Sequence, residues 1–241
     1  MRAMLLASGI GSRLRPITNT IPKCLVSIHG QPLLDIWLQE LSRYKIGPFL
    51  INTHYLPEKV ERYVQQSAYK DAVTLVHEPQ LLGTAGTVWA NREWIGSEPF
   101  MLVHADNYCL CDFGSFVESH QKKPPGILVT MMTFETSTPQ TCGILEISDD
   151  GVIQSMHEKV ENPPGNTANA AVYIVEPAVF EIPKFKRNPP SDFSTEVIPE
   201  LMGTIKAWQN SGIHEDIGTP ESYRKAHDLK DGNESTAKCG G

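Results

Sequence analysis

Glycines and cations are concentrated in the first two dozen residues of the chain. An apolar run over 4–7 ends in a loop that contains Gly9 and Gly11, and Arg13 and Lys23 follow. Backbone N–H groups in such a loop can converge on an anion, and nearby cations neutralise the remaining charge. This stretch therefore predicts a phosphate-binding site.

Two common phosphate-binding motifs do not fit the loop. After Gly9 and Gly11, Leu14 stands where a dinucleotide-binding fingerprint has its third glycine, and the Gly-Lys-Ser/Thr of a P-loop is missing. A nicotinamide-dependent oxidoreductase is therefore disfavoured. Three histidines at predicted strand ends, His54, His77 and His104, are interpreted as structural, because scattered single histidines seldom form a metal site.

The full opening stretch resembles the sugar-1-phosphate nucleotidyltransferases, also called nucleotide-sugar pyrophosphorylases. The signature reads Gly9-x-Gly11-Ser12-Arg13-Leu14-Arg15-Pro16-x-Thr18, then Pro22-Lys23-x-Leu25, then Gly30-x-Pro32. The resemblance continues to about Leu229, through the segments 78–86, 104–107, 142–143, 158–159, 169–173, 192–199 and 216–223. It thus covers nearly the whole chain.

The resemblance implies a reaction between two phosphorylated substrates. An oxygen of a sugar-1-phosphate attacks the α-phosphorus of a nucleoside triphosphate, and pyrophosphate leaves in line. Such catalysis is mainly positioning and electrostatic stabilisation. The resemblance assigns Arg13 to the β- and γ-phosphates and Lys23 to the attacking phosphate and the α-phosphate. It makes Asp106 and Asp216 the ligands of Mg²⁺, which accepts two carboxylates together with phosphate oxygens and waters.

The resemblance also implies the residues that bind each substrate, with Arg13, Lys23 and Asp106 as the catalytic set. The nucleotide-binding residues are Leu6, Ala7, Ser8, Gly9, Gly11, Ser12, Arg13, Gln80, Gly83 and Thr84. The sugar-phosphate-binding residues are Lys23, Asn107, Gly143, Glu158, Lys159 and Asn169. A purely structural role stays open for several of them, above all for Gln80 and Asn169.

Four residues depart from the usual family pattern and leave the sugar identity open. They are Ser8, Ala105, Val160 and Ala171, of which Ala105 and Ala171 replace usual glycines. A methyl group at 105 is tolerable if the backbone φ is negative. The segments 82–86 and 192–199 are most similar to mannose-1-phosphate guanylyltransferase-like members, which favours GTP and a manno-configured sugar.

Other readings of the same motifs stay open. One is UTP or CTP with another sugar-1-phosphate or a non-sugar phosphate, and another is a non-catalytic sugar-nucleotide-sensing module. The resemblance ends near Leu229, so we expect neither the β-helical C-terminal domain of some relatives nor feedback regulation through it.

The composition of the chain restricts its possible partners and its cellular compartment. The 241 residues carry a net charge of -7 without a basic block, which argues against a nucleic-acid or anionic-membrane partner. The sequence contains no apolar run of ~20 residues, and we expect no signal peptide. The five cysteines are scattered and odd in number, as expected for thiols in a reducing compartment. We expect a cytoplasmic protein and leave a homodimer open.

The hydrophobic pattern predicts an α/β fold with a three-layer, Rossmann-like, mixed but mainly parallel sheet flanked by helices. Strands are predicted over 2–7, 49–52, 73–76, 100–103, 127–134, 143–147, 152–157, 170–175 and 205–208. Helices are predicted over 32–44, 57–66, 85–94, 113–121, 196–201 and 220–229. Because ligands of such sheets lie beyond the carboxyl ends of the strands, the glycine loop, the 78–83 stretch and Asp106 should converge on one rim.

The domain organisation follows from this pattern. We expect one nucleotidyltransferase domain over 1–229, with a nucleotide-binding lobe over about 1–112 and a sugar-binding lobe over about 113–229 across a cleft. The remaining 230–241 has nothing to bury and predicts a flexible tail.

Overall fold

The structure of the protein is a computed structural model that describes residues 1–187 and 190–229. Its strands are β1 (Ala3–Leu6), β2 (Ser27–Ile28), β3 (Gln31–Pro32), β4 (Phe49–Thr53), β5 (Val73–His77), β6 (Phe100–His104), β7 (Asn107–Leu110), β8 (Val129–Glu135), β9 (Gly143–Ile147), β10 (Ile153–Glu158), β11 (Thr167–Val175), β12 (Ile205–Gln209) and β13 (Ile213–Asp216). Its α-helices are α1 (Leu33–Arg43), α2 (Pro57–Gln66), α3 (Gly83–Ala90), α4 (Arg92–Ile95), α5 (Phe113–Gln121), α6 (Pro183–Arg187) and α7 (Pro220–Asp228). The tail predicted over 230–241, with Cys239, lies outside the described residues.

One mixed sheet of nine described strands forms the middle of the molecule. Its order is β10-β9-β11-β6-β1-β4-β5, with β8 beside β11 and β12 beside β8. Strands β1, β4, β5 and β6 are mutually parallel, and β11 runs antiparallel to β6. The predicted fold class is confirmed. Both halves of the chain contribute strands, so the two predicted lobes share a single sheet.

The core lies on both faces of this sheet, because apolar side chains occupy every position of the central strand. Ala3 and Leu5 of β1 pack on the face that α1 covers through Trp37. Met4 packs on the opposite face with Val88 of α3. A strand buried on both faces and covered by helices is the expected geometry of a parallel sheet. Among the described helices, none has the length and apolar character needed to span a membrane.

Two predicted helices differ from the structure. The helix predicted over 85–94 begins at Gly83 and divides at Asn91 into α3 and α4, where the Asn91 side-chain amide donates to the Thr87 carbonyl at 2.8 Å. The helix predicted over 196–201 is a π-helical turn over Phe193–Val197 followed by a 3₁₀ turn over Ile198–Leu201. Pro199 in that second turn cannot donate the backbone hydrogen bond that a continuous helix needs.

A two-stranded ribbon beside the main sheet was not predicted. In it, β7 pairs antiparallel with β13, and Asn107 lies opposite Asp216. Both strands are short, and β13 reads Ile-His-Glu-Asp with only one strongly apolar residue, so the hydrophobic pattern gives no strand signal. This ribbon brings the distant Asp216 to the rim where β6 ends.

Candidate active site

A pocket of about 220 Å³ lies at the carboxyl ends of β1, β4 and β6. It is lined by Leu6, Ala7, Ser8, Gly9, Lys23, Cys24, Asn52, Leu81, Gly83, Thr84, Thr87, His104 and Asp106. Most of the predicted nucleotide-binding residues are therefore together on one rim. The lining does not include Gly11, Ser12, Arg13 or Gln80; next to Gln80, it is Leu81 that faces the pocket.

A buried polar network forms the floor of the pocket. The side-chain oxygen of Asn52 accepts from the Ala7 N–H at 2.8 Å, and its amide nitrogen lies 3.0 Å from Ser8 Oγ and 2.9 Å from Glu78 Oε1. The hydroxyl of Thr87 also donates to Glu78. Buried polar groups must be paired to be tolerated, and here the pairing fixes the backbone where β1 opens into the glycine loop.

Gly83, at the start of α3, forms part of the wall of the pocket. Gly83 has φ +76, and a Cβ at this position would lie 2.2 Å from the carbonyl oxygen of Ser191. That carbonyl accepts from the Ala85 N–H at 3.1 Å, and Thr84 Oγ1 accepts from the Phe193 N–H at 2.7 Å. Only glycine allows the segment over 190–193 to pack this closely on the first turn of the helix.

Lys23 lies at the centre of the charged part of the site. Its Nζ is 2.8 Å from Asp106 Oδ2 and 3.1 Å from Asp216 Oδ1, and the residue is only 5% exposed. Burial alone would lower the pKa of Lys23, but the two carboxylates outweigh it and raise that pKa above its ordinary value. Burial likewise opposes the charge of Asp106, yet the Lys23 ammonium keeps the pKa of that carboxyl below its usual range. Lys23 and Asp106 are therefore both charged at neutral pH.

The glycine loop presents Arg13 on the solvent side of this cluster. Arg13 Nη2 is 4.0 Å from Asp216 Oδ2, and both side chains are more than half exposed. Gly11 has φ +65, and a Cβ at this position would lie 3.0 Å from Thr18 Cγ2 and 3.2 Å from Lys23 Cβ, while Thr18 Oγ1 donates to the Gly11 carbonyl at 2.7 Å. The loop is thus anchored at one end to the residue that carries the buried ammonium.

Four of the six predicted sugar-phosphate-binding residues, Gly143, Glu158, Lys159 and Asn169, lie on or next to β9, β10 and β11, whereas Lys23 and Asn107 lie at the charged cluster and the β7–β13 ribbon. Gly143 pairs with Glu158, and Lys159 Nζ is 3.1 Å from Glu158 Oε1. Asn169 uses its own side chain within β11: Oδ1 accepts from the Ala171 N–H at 2.9 Å, and Nδ2 donates to Tyr173 Oη at 2.8 Å. The group lies on three neighbouring strands at one end of the main sheet, with Asn169 holding the local backbone of β11.

A single carbonyl links this group to the charged cluster. The Ala170 oxygen accepts from His214 Nε2 at 2.9 Å and from Asn107 Nδ2 at 3.4 Å. The pairing of β11 with β8 shifts register between Asn169 and Tyr173, which marks a bulge in β11. Asn107 is buried, so its amide holds this bulge against the ribbon. Burial lowers the pKa of His214 to about 4, which leaves this imidazole neutral. The ribbon and β11 are therefore positioned together.

The two alanines that replace usual glycines have opposite backbone geometry. The backbone φ of Ala105 is not positive, so the methyl group of the residue before Asp106 is accommodated as expected. Ala171 has φ +55, a left-handed conformation that is costly for any residue with a Cβ. The replacement at 171 therefore strains the backbone at the β11 bulge.

Five residues that line the pocket were not predicted as site residues, namely Cys24, Asn52, Leu81, Thr87 and His104. Asn52 and His104 are polar residues at the carboxyl ends of parallel strands, which was the one signal that could have identified them. Nε2 of His104 is shielded from solvent and has no hydrogen-bond partner among the described residues. Burial lowers the pKa of His104.

Comparison with known proteins covers nearly the whole chain. A family model described as nucleotidyl transferase matches residues 2–231. A mannose-1-phosphate guanylyltransferase catalytic subunit beta from Drosophila pseudoobscura pseudoobscura is 30% identical over 228 residues, which cover 92% of this chain and 60% of that protein. The chain thus spans less than two thirds of this relative's length.

Two further proteins extend the comparison. A low-salt glycan biosynthesis nucleotidyltransferase from Haloferax volcanii is 29% identical over 247 residues, which cover 100% of this chain and 69% of that protein. The crystal structure of HddC from Yersinia pseudotuberculosis superposes with a TM-score of 0.79 at 24% identity, and the match covers 94% of this chain and 98% of the other. At that identity the structural likeness shows the shared fold.

Proposed function

Because the chain belongs to the nucleotidyl transferase family, we propose that it condenses a nucleoside triphosphate with a sugar-1-phosphate to give a nucleotide sugar and pyrophosphate. The family assignment confirms the resemblance seen in the sequence. The reaction, its substrates and the residue roles are the proposal, and the geometry of the cleft supports them.

The observation that carries the proposal is the position of the Lys23 ammonium. It is buried, fixed by two carboxylates, and borders the pocket that the glycine loop encloses. A reaction that brings an NTP and a second phosphate together needs positive charge fixed in place before the substrates arrive. Lys23 supplies it at the centre of the site, and Arg13 supplies a second, exposed charge at the open side.

The acidic residues fit a divalent cation, which we assign as Mg²⁺. Asp106 and Asp216 direct carboxylate oxygens at one point although they are far apart in the chain. Hard carboxylate oxygens are the ligands that Mg²⁺ prefers, and it needs only one or two of them when phosphates bind as well. No cluster of three or more acidic, histidine or cysteine ligands occurs in residues 1–187 and 190–229. The bound ion would supply charge neutralisation for the phosphates, which this donor pair suits.

We assign the residue roles as the family resemblance implies them, and the contacts described above support the assignment. Lys23 orients the attacking phosphate against the α-phosphate, and Arg13 binds the leaving phosphates. The loop over Leu6–Gly9 and the turn at Gly83 and Thr84 enclose the base and ribose. Gly143, Glu158, Lys159 and Asn169 bound the sugar side, with Asn107 supporting them from beneath.

We assign GTP and a manno-configured sugar-1-phosphate as substrates. The similarity to the Drosophila mannose-1-phosphate guanylyltransferase subunit supports this choice, as do the guanylyltransferase-like segments over 82–86 and 192–199. The four described cysteines are free thiols, which agrees with the reducing cytoplasm that we propose as its location.

Pyrophosphate release tests the proposal directly. Purified protein is incubated with Mg²⁺ and every pairing of GTP, UTP, CTP, ATP and dTTP with mannose, glucose, galactose and N-acetylglucosamine 1-phosphates. We expect release with GTP and mannose 1-phosphate above all other pairs. Release with another pair would retain the reaction and correct the substrates, and no release with any pair would remove the proposed reaction.

A further inference from the structure

His104 lies where the two halves of the cleft meet. It is the last residue of β6, pairs with Leu6 of β1 in the strand register, and lines the nucleotide pocket together with Asp106. On its other side the imidazole meets the ring of Tyr173 edge-on, with centroids 6.5 Å apart. Tyr173 in turn holds Asn169 of the sugar side through its hydroxyl.

Among residues 1–187 and 190–229, the imidazole of His104 makes no hydrogen bond that would account for its polarity. Nε2 is shielded from solvent and unpaired among the described residues. Two other histidines near the cleft each have one ring nitrogen paired: His54 Nδ1 lies 2.7 Å from the Glu78 carbonyl, and His214 Nε2 lies 2.9 Å from the Ala170 carbonyl. His214 Nδ1 is itself buried and unpaired, but the His214 ring is held through Nε2, whereas neither nitrogen of His104 has a hydrogen bond among the described residues. A shielded polar nitrogen without a partner is costly, so a residue retained in this state calls for a partner that arrives with a ligand.

The chemistry of the surroundings selects the kind of partner. Phosphate groups already have Lys23 and Arg13 as charged partners, and two carboxylates lie beside Lys23. The uncharged part of a substrate is therefore the group left to bind at the junction of the nucleotide and sugar halves of the cleft. We infer that His104 hydrogen-bonds a substrate hydroxyl at the junction of the nucleotide and sugar halves of the cleft, and so contributes to substrate selection.

Two hydroxyls share this chemistry, the ribose hydroxyl of the NTP and a ring hydroxyl of the sugar phosphate. A half-turn about the Cβ–Cγ bond exchanges nitrogen and carbon along the ring edges, so the imidazole can direct a nitrogen to either side. The inference rests on the proposed function for the identity of the substrates. The contact itself rests on the pocket and can be measured by binding.

The variant His104→Phe removes both nitrogens and keeps a ring against Tyr173. We expect it to raise the KM of one substrate about 10-fold while kcat changes less, as for the loss of one hydrogen bond, and His104→Gln to restore most of the affinity. His77→Phe is the matched control, since His77 is exposed at the end of β5 and should leave both KM values unchanged.

Deoxy substrates identify the hydroxyl. If the wild type prefers GTP to 2′-deoxy-GTP and His104→Phe loses this preference, the partner is the ribose. If the KM of mannose 1-phosphate rises instead and the preference persists, the partner is the sugar. Both KM values and the ribose preference within twofold of wild type in a folded His104→Phe protein would overturn the inference. So would an equal loss in the Gln and Phe variants.

The same comparison works without turnover. If no pair of substrates releases pyrophosphate, calorimetric titration with GTP, 2′-deoxy-GTP and mannose 1-phosphate separately measures whether His104→Phe weakens one of them about 10-fold. Unchanged affinities would overturn the inference independently of the reaction. If the Phe variant does not fold, His104→Leu takes its place under the same criteria.

Discussion

In the β7–β13 ribbon, Asp216 lies directly opposite Asn107, the residue that follows Asp106 in the chain. The ribbon therefore brings two carboxylates to the same point from distant parts of the chain. Lys23 Nζ lies between them, 2.8 Å from one and 3.1 Å from the other. The three charges hold one another in place, so the site is organised before any substrate binds.

Replacement of Lys23 tests this preorganised charge. Lys23→Met keeps the length of the buried side chain and removes its ammonium. We expect turnover to fall by about 100-fold or more, the usual effect of removing a group that stabilises transition-state charge. Initial rates of pyrophosphate release at saturating substrates measure it.

Lys122→Met is the control for this experiment. Lys122 is an exposed lysine of a surface ion pair with Glu118, and its loss should leave the rate within a factor of about two of wild type, because such pairs contribute little. A Lys23→Met enzyme with near-normal turnover would remove the lysine from the mechanism.

Much of this arrangement could be predicted from the sequence, and the exceptions have physical causes. The buried strands and amphipathic helices have strong periodic patterns, so the parallel sheet and the rim with Asp106 follow directly. The contact of Asp216 depends on the polar β13, which has no such pattern. The prediction that Asp216 belongs to the site came from family resemblance alone. Asn52 and His104 were missed because a single polar residue at a strand end can be assigned to a site only when the neighbouring strands of the sheet are known.

Gly83 tests how closely the 190–193 segment must approach α3. A Cβ at Gly83 would lie 2.2 Å from the Ser191 oxygen, and the residue has φ +76. Because the backbone conformation alone costs a non-glycine residue about 1–2 kcal/mol, we expect Gly83→Ala to lower the free energy of unfolding by about 2 kcal/mol or more. Urea unfolding followed by circular dichroism measures it, and nucleotide affinity should fall as well.

Gly165→Ala serves as the matched glycine substitution. A Cβ at Gly165 would have no heavy atom within 4 Å, and the φ of this residue is not in the left-handed region. Its effect on the free energy of unfolding should stay within about 0.5 kcal/mol. Equal effects at Gly83 and Gly165 would show that the segment moves aside freely.

His120 makes the stability of the protein depend on pH. The side chain is 2% exposed, its Nδ1 lies 2.7 Å from Thr130 Oγ1, and its Nε2 lies 3.2 Å from Glu176 Oε1. Burial, with a further contribution from Lys123, lowers the pKa of His120 to about 4. As the pH is lowered, His120 of the unfolded chain becomes protonated near pH 6.5, whereas His120 of the folded protein becomes protonated only near pH 4.

The sign of the effect follows from this difference in pKa. Between pH 6.5 and 4 the unfolded state binds more protons, so the free energy of unfolding falls as the pH is lowered through this window. His120→Gln keeps a polar partner for Thr130 and should flatten that slope by up to about one proton, measured by urea unfolding at several pH values. His227→Gln alters an exposed histidine and should leave the slope unchanged; a similar flattening there would rule out His120 as its source.

Ala171 offers a test of strain at the β11 bulge. Its φ of +55 costs about 1–2 kcal/mol for a residue with a Cβ, and glycine avoids that cost while losing about 0.5–1 kcal/mol through the greater freedom of the unfolded chain. We therefore expect Ala171→Gly to raise the free energy of unfolding by roughly 0.5–1 kcal/mol. The neighbouring Ala170 is fully buried and lacks a positive φ, so Ala170→Gly should instead destabilise the protein by about 1–2 kcal/mol. Urea unfolding of the two variants side by side separates backbone strain from the packing of a methyl group, because strain predicts opposite signs and packing alone predicts a loss at both positions.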